Sequence, residues 1–144
     1  MRQNNPKILY WSHRYFTNEE ACNCFNNSEK SLRQMQGRNF LKSKPGDIVY
    51  VLYGYKADSE SSIQLRMLYK CEIIEIDNPK LPDEMNWDGV LILRLINKFE
   101  EISEEKLYEN GLPKYERGGY QGYIGQYIED SLITYLDKHI DNDK

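Results

Sequence analysis

Cysteine and histidine are scarce in this chain of 144 residues: three cysteines, at 22, 24 and 71, and two histidines, His13 and His139. That is too few for a disulfide framework, and no zinc-finger ligand set can be completed. Cys22 and Cys24 stand at a spacing that could chelate a metal, but incidental thiols in a reducing compartment are the simpler reading. No run approaches the 18 apolar residues of a membrane span, and no apolar signal segment follows the opening MRQNNPK. A cytoplasmic protein with no membrane partner is therefore expected.

Catalytic signatures are also missing. There is no G-x-S-x-G elbow, no G-x-x-x-x-G-K-[ST] phosphate loop and no H-E-x-x-H helix. His139 falls in a last helical turn, where a cation complements the helix dipole. His13 is left as the one plausible catalytic imidazole, without a serine or cysteine partner. Lys70, Glu72 and Glu75 imitate a nuclease set but sit on an alternating stretch that reads as a solvated edge. The expectation is a protein that is not an enzyme and needs no cofactor or metal.

What is present suits one soluble domain over residues 1–140, with 141–144 as a polar tail or the start of a linker. Hydrophobic residues make up 40% and charged residues 29%, enough to bury a core without covalent staples. Charge is uneven. Residues 1–44 hold eight basic side chains against three acidic ones, a balance of +5, which leaves −9 for the rest of a chain whose net charge is −4. The split fits a basic nucleic-acid face on an acidic whole, or two halves that complement each other within the fold.

Periodicity gives a coarse order of elements. Lys7–Phe16 reads as a strand and 17–26 as a short helix opened by Thr17 or Asn18 with acids in its first turn. Ser28 starts a second helical stretch containing Leu32, Met35, Phe40 and Leu41. Lys44-Pro45-Gly46-Asp47 is a turn that launches Ile48–Tyr55, apolar enough for a central strand. Residues 56–62 form a polar hairpin loop and Gln64–Asp77 is the antiparallel return. Asn78–Asp88 is a loop and Gly89–Phe99 a further buried strand. A short helix opens at Ser103 and stops at Asn110-Gly111. Leu112–Gln126 is irregular, and Ile128–Ile140 carries a helical stripe of Leu132, Ile133, Leu136 and Ile140. The fold class is α+β: a small curved, mostly antiparallel sheet or partial barrel with flanking helices.

Three stretches carry chemistry. Twelve tyrosines against four phenylalanines is an uneconomical way to fill a core, since each buried hydroxyl needs a partner. Either they are core with rim hydroxyls, or some of them line a cleft in which a base stacks. The segment Arg33-Gln34-Met35-Gln36-Gly37-Arg38-Asn39, with Lys42 and Lys44 beyond, is a polar helix end or a face that holds phosphates and base edges. Gly118–Gln126, with Tyr and Gln between glycines, is a loop that closes over a flat ligand or an irregular crossover.

Taken together, these stretches resemble the EVE domain and its PUA-like relatives, which include the YTH modules. Tyr10-Trp11 followed by Arg14 is similar to the EVE first strand, and Leu32–Leu41 to its Arg- and Asn-bearing helix signature. Lys44-Pro45-Gly46-Asp47 resembles its turn, Gln121-Gly122 with Gln126 its closing segment, and Trp87-Asp88-Gly89 a wall of the YTH cage. Departures exist: Glu29 stands where the family has Trp, and Arg14-Tyr15 replace its Lys-Ser.

The resemblance implies a barrel-like sheet with a pocket for a modified or flipped base. It points to Arg14, Arg33, Gln36, Arg38, Asn39, Trp87 and Gln121; the aromatic and charge arguments add His13, Tyr15, Lys42, Tyr53, Tyr55 and Tyr123. The expected partner is DNA carrying a modified base, with RNA as the alternative and a protein-interaction or hydrolase role behind both. Such modules also serve as specificity domains of McrB-type modification-dependent restriction systems, so a fused or associated nuclease or AAA+ motor is a further expected partner. The polar end of the chain fits a piece of a longer protein of that kind.

Overall fold

A computed structural model describes residues 6–11, 17–23, 31–36, 44–56, 63–77, 89–114 and 127–140 of the chain. Five strands, β1 (Lys7–Trp11), β2 (Ser31–Gln36), β3 (Ile48–Lys56), β4 (Ile63–Asp77) and β5 (Gly89–Lys98), form one sheet in the order β1-β3-β4-β5-β2. Three short helices accompany them: α1 (Asn18–Asn23), α2 (Glu104–Glu109) and α3 (Asp130–Asp137). The fold is α+β around an open, mixed sheet.

Local chemistry explains most of these elements. Thr17 and Glu20 form a capping box at α1, in which Glu20 N–H donates to Thr17 Oγ1 at 3.1 Å and Thr17 N–H donates to Glu20 Oε1 at 2.9 Å. At Lys44–Asp47, Asp47 N–H donates to Lys44 O at 3.1 Å, and Gly46 has a φ of 98° that a side chain would strain. This turn then hooks onto β4 through Gly46 N–H to Ile73 O and Ile73 N–H to Asp47 O. Ser103 caps α2. Its far end closes through Gly111, at φ 122°, with Gly111 N–H on Tyr108 O and Leu112 N–H on Leu107 O.

Two expectations are corrected. Ser31–Gln36, read as helical from the spacing of Leu32 and Met35, is strand β2, paired antiparallel with Gly89–Arg94. Six paired positions along an otherwise open edge of β5 satisfy its backbone groups, and that outweighs a weak local preference. The same change replaces with a strand the helix that the EVE resemblance implies there. Gly89–Phe99 is also less buried than its apolar run suggests: within 92–98 only Leu93 is buried, and Ile96 is 40% exposed.

Three pairings are antiparallel, but β1 runs parallel to β3, with Trp11 opposite Tyr53. A parallel neighbour requires a long crossover, which residues 12–47 supply. The strands bury both faces. On one, Ile8, Tyr50, Leu52, Leu65 and Met67 pack against Leu107, Leu112, Leu132 and Leu136 of the α2–α3 region. On the other, Leu9, Trp11, Val49, Val51, Tyr53, Tyr69, Cys71, Ile73 and Leu93 pack with Ala21 of α1.

β4 serves both cores although its buried residues, Leu65, Met67, Tyr69, Cys71 and Ile73, all share one parity. Val51 faces Tyr69 while Leu52 faces Met67, so Leu68 is an extra residue at a bulge that turns the row from one face to the other. The ends of the described chain fasten the sheet: Ile128 N–H donates to Pro6 O, Lys7 bridges to Tyr127, and Phe99 bridges to Ile140.

Candidate nucleic-acid interface

The parallel pair β1–β3 ends at Trp11 and Tyr53, and β4 begins beside it with Gln64 opposite Tyr55 and Arg66 opposite Tyr53. Tyr53 is fully buried, and its hydroxyl donates to Asn18 Oδ1 at 2.9 Å. Tyr69, also buried and set edge-on to Trp11, donates to Ala21 O at 2.6 Å. Two tyrosine hydroxyls therefore hold α1 at Asn18 and at Ala21. Where the sequence left core filling and a stacking cleft open, these two rings are core, and their hydroxyls are used to dock a helix. Burial, with smaller contributions from Cys22, Tyr55 and Glu20, pushes the Tyr53 pKa up to about 12.

Tyr55, two residues on, is half-buried and meets Tyr53 edge-to-face at 6.4 Å. The Arg66 guanidinium lies over the Tyr55 ring, 3.7 Å from its centre, a close cation–π contact. Arg66 Nη1 also pairs with Glu101 Oε1 at 2.9 Å; the arginine side chain is 26% exposed and the glutamate 72%. Beside them opens a polar cleft of about 320 Å³ lined by Gln64, Leu65, Arg66, Glu101, Ile102, Ser103 and Glu104. Glu104 Oε2 accepts Leu65 N–H at 2.7 Å, fixing the start of α2 to β4 and forming one wall. Cys22 is exposed as a residue, yet its thiol is pushed up in pKa by partial burial first and by Glu101, against the pull of Arg66. That keeps it a thiol and a poor nucleophile.

No known protein family matches the chain, and no curated protein matches it either. Its own residues carry the functional reading.

Of the residues singled out by sequence, the structure brings together Tyr53 and Tyr55, with the first as support and the second at the cleft. Arg33 and Gln36 stand on edge strand β2, opposite Ile92 and Gly89, and Asp77 opposite Val90 puts that end of β5 at the far end of β4 from Arg66. On the order of 30 Å of strand contour separates the two ends. His13, Arg14, Tyr15, Arg38, Asn39, Lys42, Trp87, Gln121 and Tyr123 lie outside the described residues. The sequence gathers the thirteen, seven by resemblance and six by aromatic and charge arguments, into one nucleic-acid site; the described strands set Tyr55 and Gln36 at opposite ends of β4.

Sequence reasoning passed over Arg66 and Glu101. Arg66 had one available signal, a basic residue on an alternating strand directly after the Tyr53–Tyr55 hairpin. Glu101 had none, since only the fold returns the link after β5 to the start of β4. Among the described residues no three His, Cys, Asp or Glu side chains gather as metal ligands would, and no helix is long and apolar enough to cross a membrane.

Proposed function

We propose that the chain is a non-catalytic nucleic-acid-binding module that reads a modified, methylated base in DNA, taken out of the stack against an aromatic surface. The observation that carries this reading is the Tyr55–Arg66 pair at the rim of a polar cleft. It supplies a flat aromatic and a flat cation on one shelf, the combination used to stack a base and hold its phosphate. Strand β1, which ends next to this shelf at Trp11, leads in sequence to His13, Arg14 and Tyr15. Extruding a base costs a few kcal/mol, and stacking with charge-assisted contacts offsets it. A methyl group makes the base more apolar and so favours an aromatic site over water. Within a restriction system of the McrB type, such a module would target an attached or associated nuclease and its motor.

The test is fluorescence anisotropy with matched duplexes carrying N6-methyladenine, 5-methylcytosine, 5-hydroxymethylcytosine or no modification, with an RNA control. A preference of about tenfold for one modified duplex, about 1.4 kcal/mol, that is lost in Trp87→Ala and in Tyr55→Ala is the expected result. Equal weak binding to every duplex overturns the reading, and tighter binding to RNA replaces it with an RNA-binding one.

A further inference from the structure

The Arg66–Glu101 pair joins two side chains of unequal freedom. Arg66 is held by three things: its stem on β4 between buried Leu65 and Met67, its plane on Tyr55, and its Nη1 on Glu101. Glu101 is 72% exposed, stands in the irregular link between β5 and α2, and is held by this ion pair. An exposed ion pair contributes little to stability, so the carboxylate leaves at small cost. A guanidinium already seated over an aromatic ring loses little freedom when it takes a new planar, bidentate partner. The next carboxylate along the cleft, Glu104, is engaged with Leu65 N–H and is not equivalent.

We infer that Arg66 is the phosphate-binding residue of this site and that Glu101 is its built-in competitor, occupying the guanidinium until a phosphodiester displaces it. The inference rests on the nucleic-acid reading above and adds a charge gate to it. Arg66 is preorganised by Tyr55 and masked by Glu101. Ligands bearing a phosphate at the shelf gain a bidentate pair only by returning Glu101 to water, which lowers affinity for phosphate alone and leaves selection to the stacked base.

The experiment is anisotropy over a salt series with the preferred duplex, comparing the native protein, Glu101→Gln, Arg66→Gln, Arg66→Lys and the double variant Glu101→Gln with Arg66→Gln. Thermal melting checks the fold of each. Glu101→Gln is expected to tighten binding about three- to tenfold at low salt, with the gain shrinking as salt screens it. Arg66→Gln should weaken binding about tenfold and flatten the dependence of log K on log salt by about 0.9, one phosphate contact. Arg66→Lys should recover the slope and only part of the affinity, because an ammonium lacks the planar fork. In the Arg66→Gln background, Glu101→Gln should have no further effect.

An equal gain from Glu101→Gln with and without Arg66 shows a general charge effect and overturns the gate while the nucleic-acid reading stands. Absence of nucleic-acid binding by the native protein overturns both.

Discussion

On the α2–α3 side of the sheet the core is mostly aliphatic, with Leu65, Leu107, Leu112, Leu132 and Leu136 around a stacked Tyr50–Phe99 pair. On the α1 side the large groups are Trp11, Tyr53 and Tyr69, and two of the three reach out through hydroxyls to hold a single short helix. The first side is closed by two helices, of which α2 is capped by Ser103. The second ends in the Tyr55–Arg66–Glu101 shelf, where hydrogen bonds and charge set the positions. Non-directional burial holds both faces, and on the second, directional contacts add to it and fix where groups point. The Tyr55–Arg66 shelf thereby lies on the α1 side, and the cleft beside it reaches the start of α2 at Glu104.

The largest effect that would sharpen this contrast comes from the α2–α3 side. Leu132→Ala or Leu136→Ala, each fully buried, should cost about 2–5 kcal/mol in chemical denaturation while leaving the duplex affinity of the folded fraction unchanged. A parallel loss of affinity would break the division of labour. Tyr55→Ala is the reverse case: about 1–3 kcal/mol of binding should go, read by anisotropy, with little change in the unfolding midpoint.

Tyr53→Phe removes only the hydroxyl that holds Asn18, and about 1 kcal/mol of stability should go with it. Thr17→Ala, which removes half of the α1 capping box, should cost about 1 kcal/mol by the same measurement. Tyr53 also gives a pH signature. Its folded pKa is raised to about 12 from an ordinary 10, so the protonated form is favoured by folding. Below pH 10 both states keep the proton and stability is at its full value. Between pH 10 and 12 the unfolded chain ionises first and stability falls. Spectrophotometric titration should show that Tyr53→Phe removes one tyrosine from those that ionise late, near pH 12.

Much of the architecture was legible because it is written locally. The helix start at Thr17, the Pro45-Gly46 turn, Ser103 and Gly111 are short-range signals whose hydrogen bonds close within a few residues, and each appears where the sequence placed it. Glu20 completes a box at Thr17 that was not read from the sequence. The alternation along β4 correctly marked it as the antiparallel return strand after β3. Ser31–Gln36 was misread because its partner, Gly89–Arg94, is far along the chain and no local pattern reveals an open edge waiting for a strand. The site was legible in part: Tyr55 stood out as an aromatic, whereas Glu101 is an ordinary acid until β5 and the link after it bring it to Arg66.

By itself the sequence determined the α+β class, the Lys44–Asp47 turn, the start of α1, both ends of α2 and the central place of β3. These follow from backbone preferences and apolar spacing, which act over one or two turns of chain. Tertiary structure decided the parallel pairing of β1 with β3, the place of β2 at the far edge, the bulge at Leu68 that shares β4 between two cores, and the pairing of Arg66 with Glu101. Each of those depends on closing long loops, and only the summed burial and backbone pairing of the whole sheet can stabilise such closures.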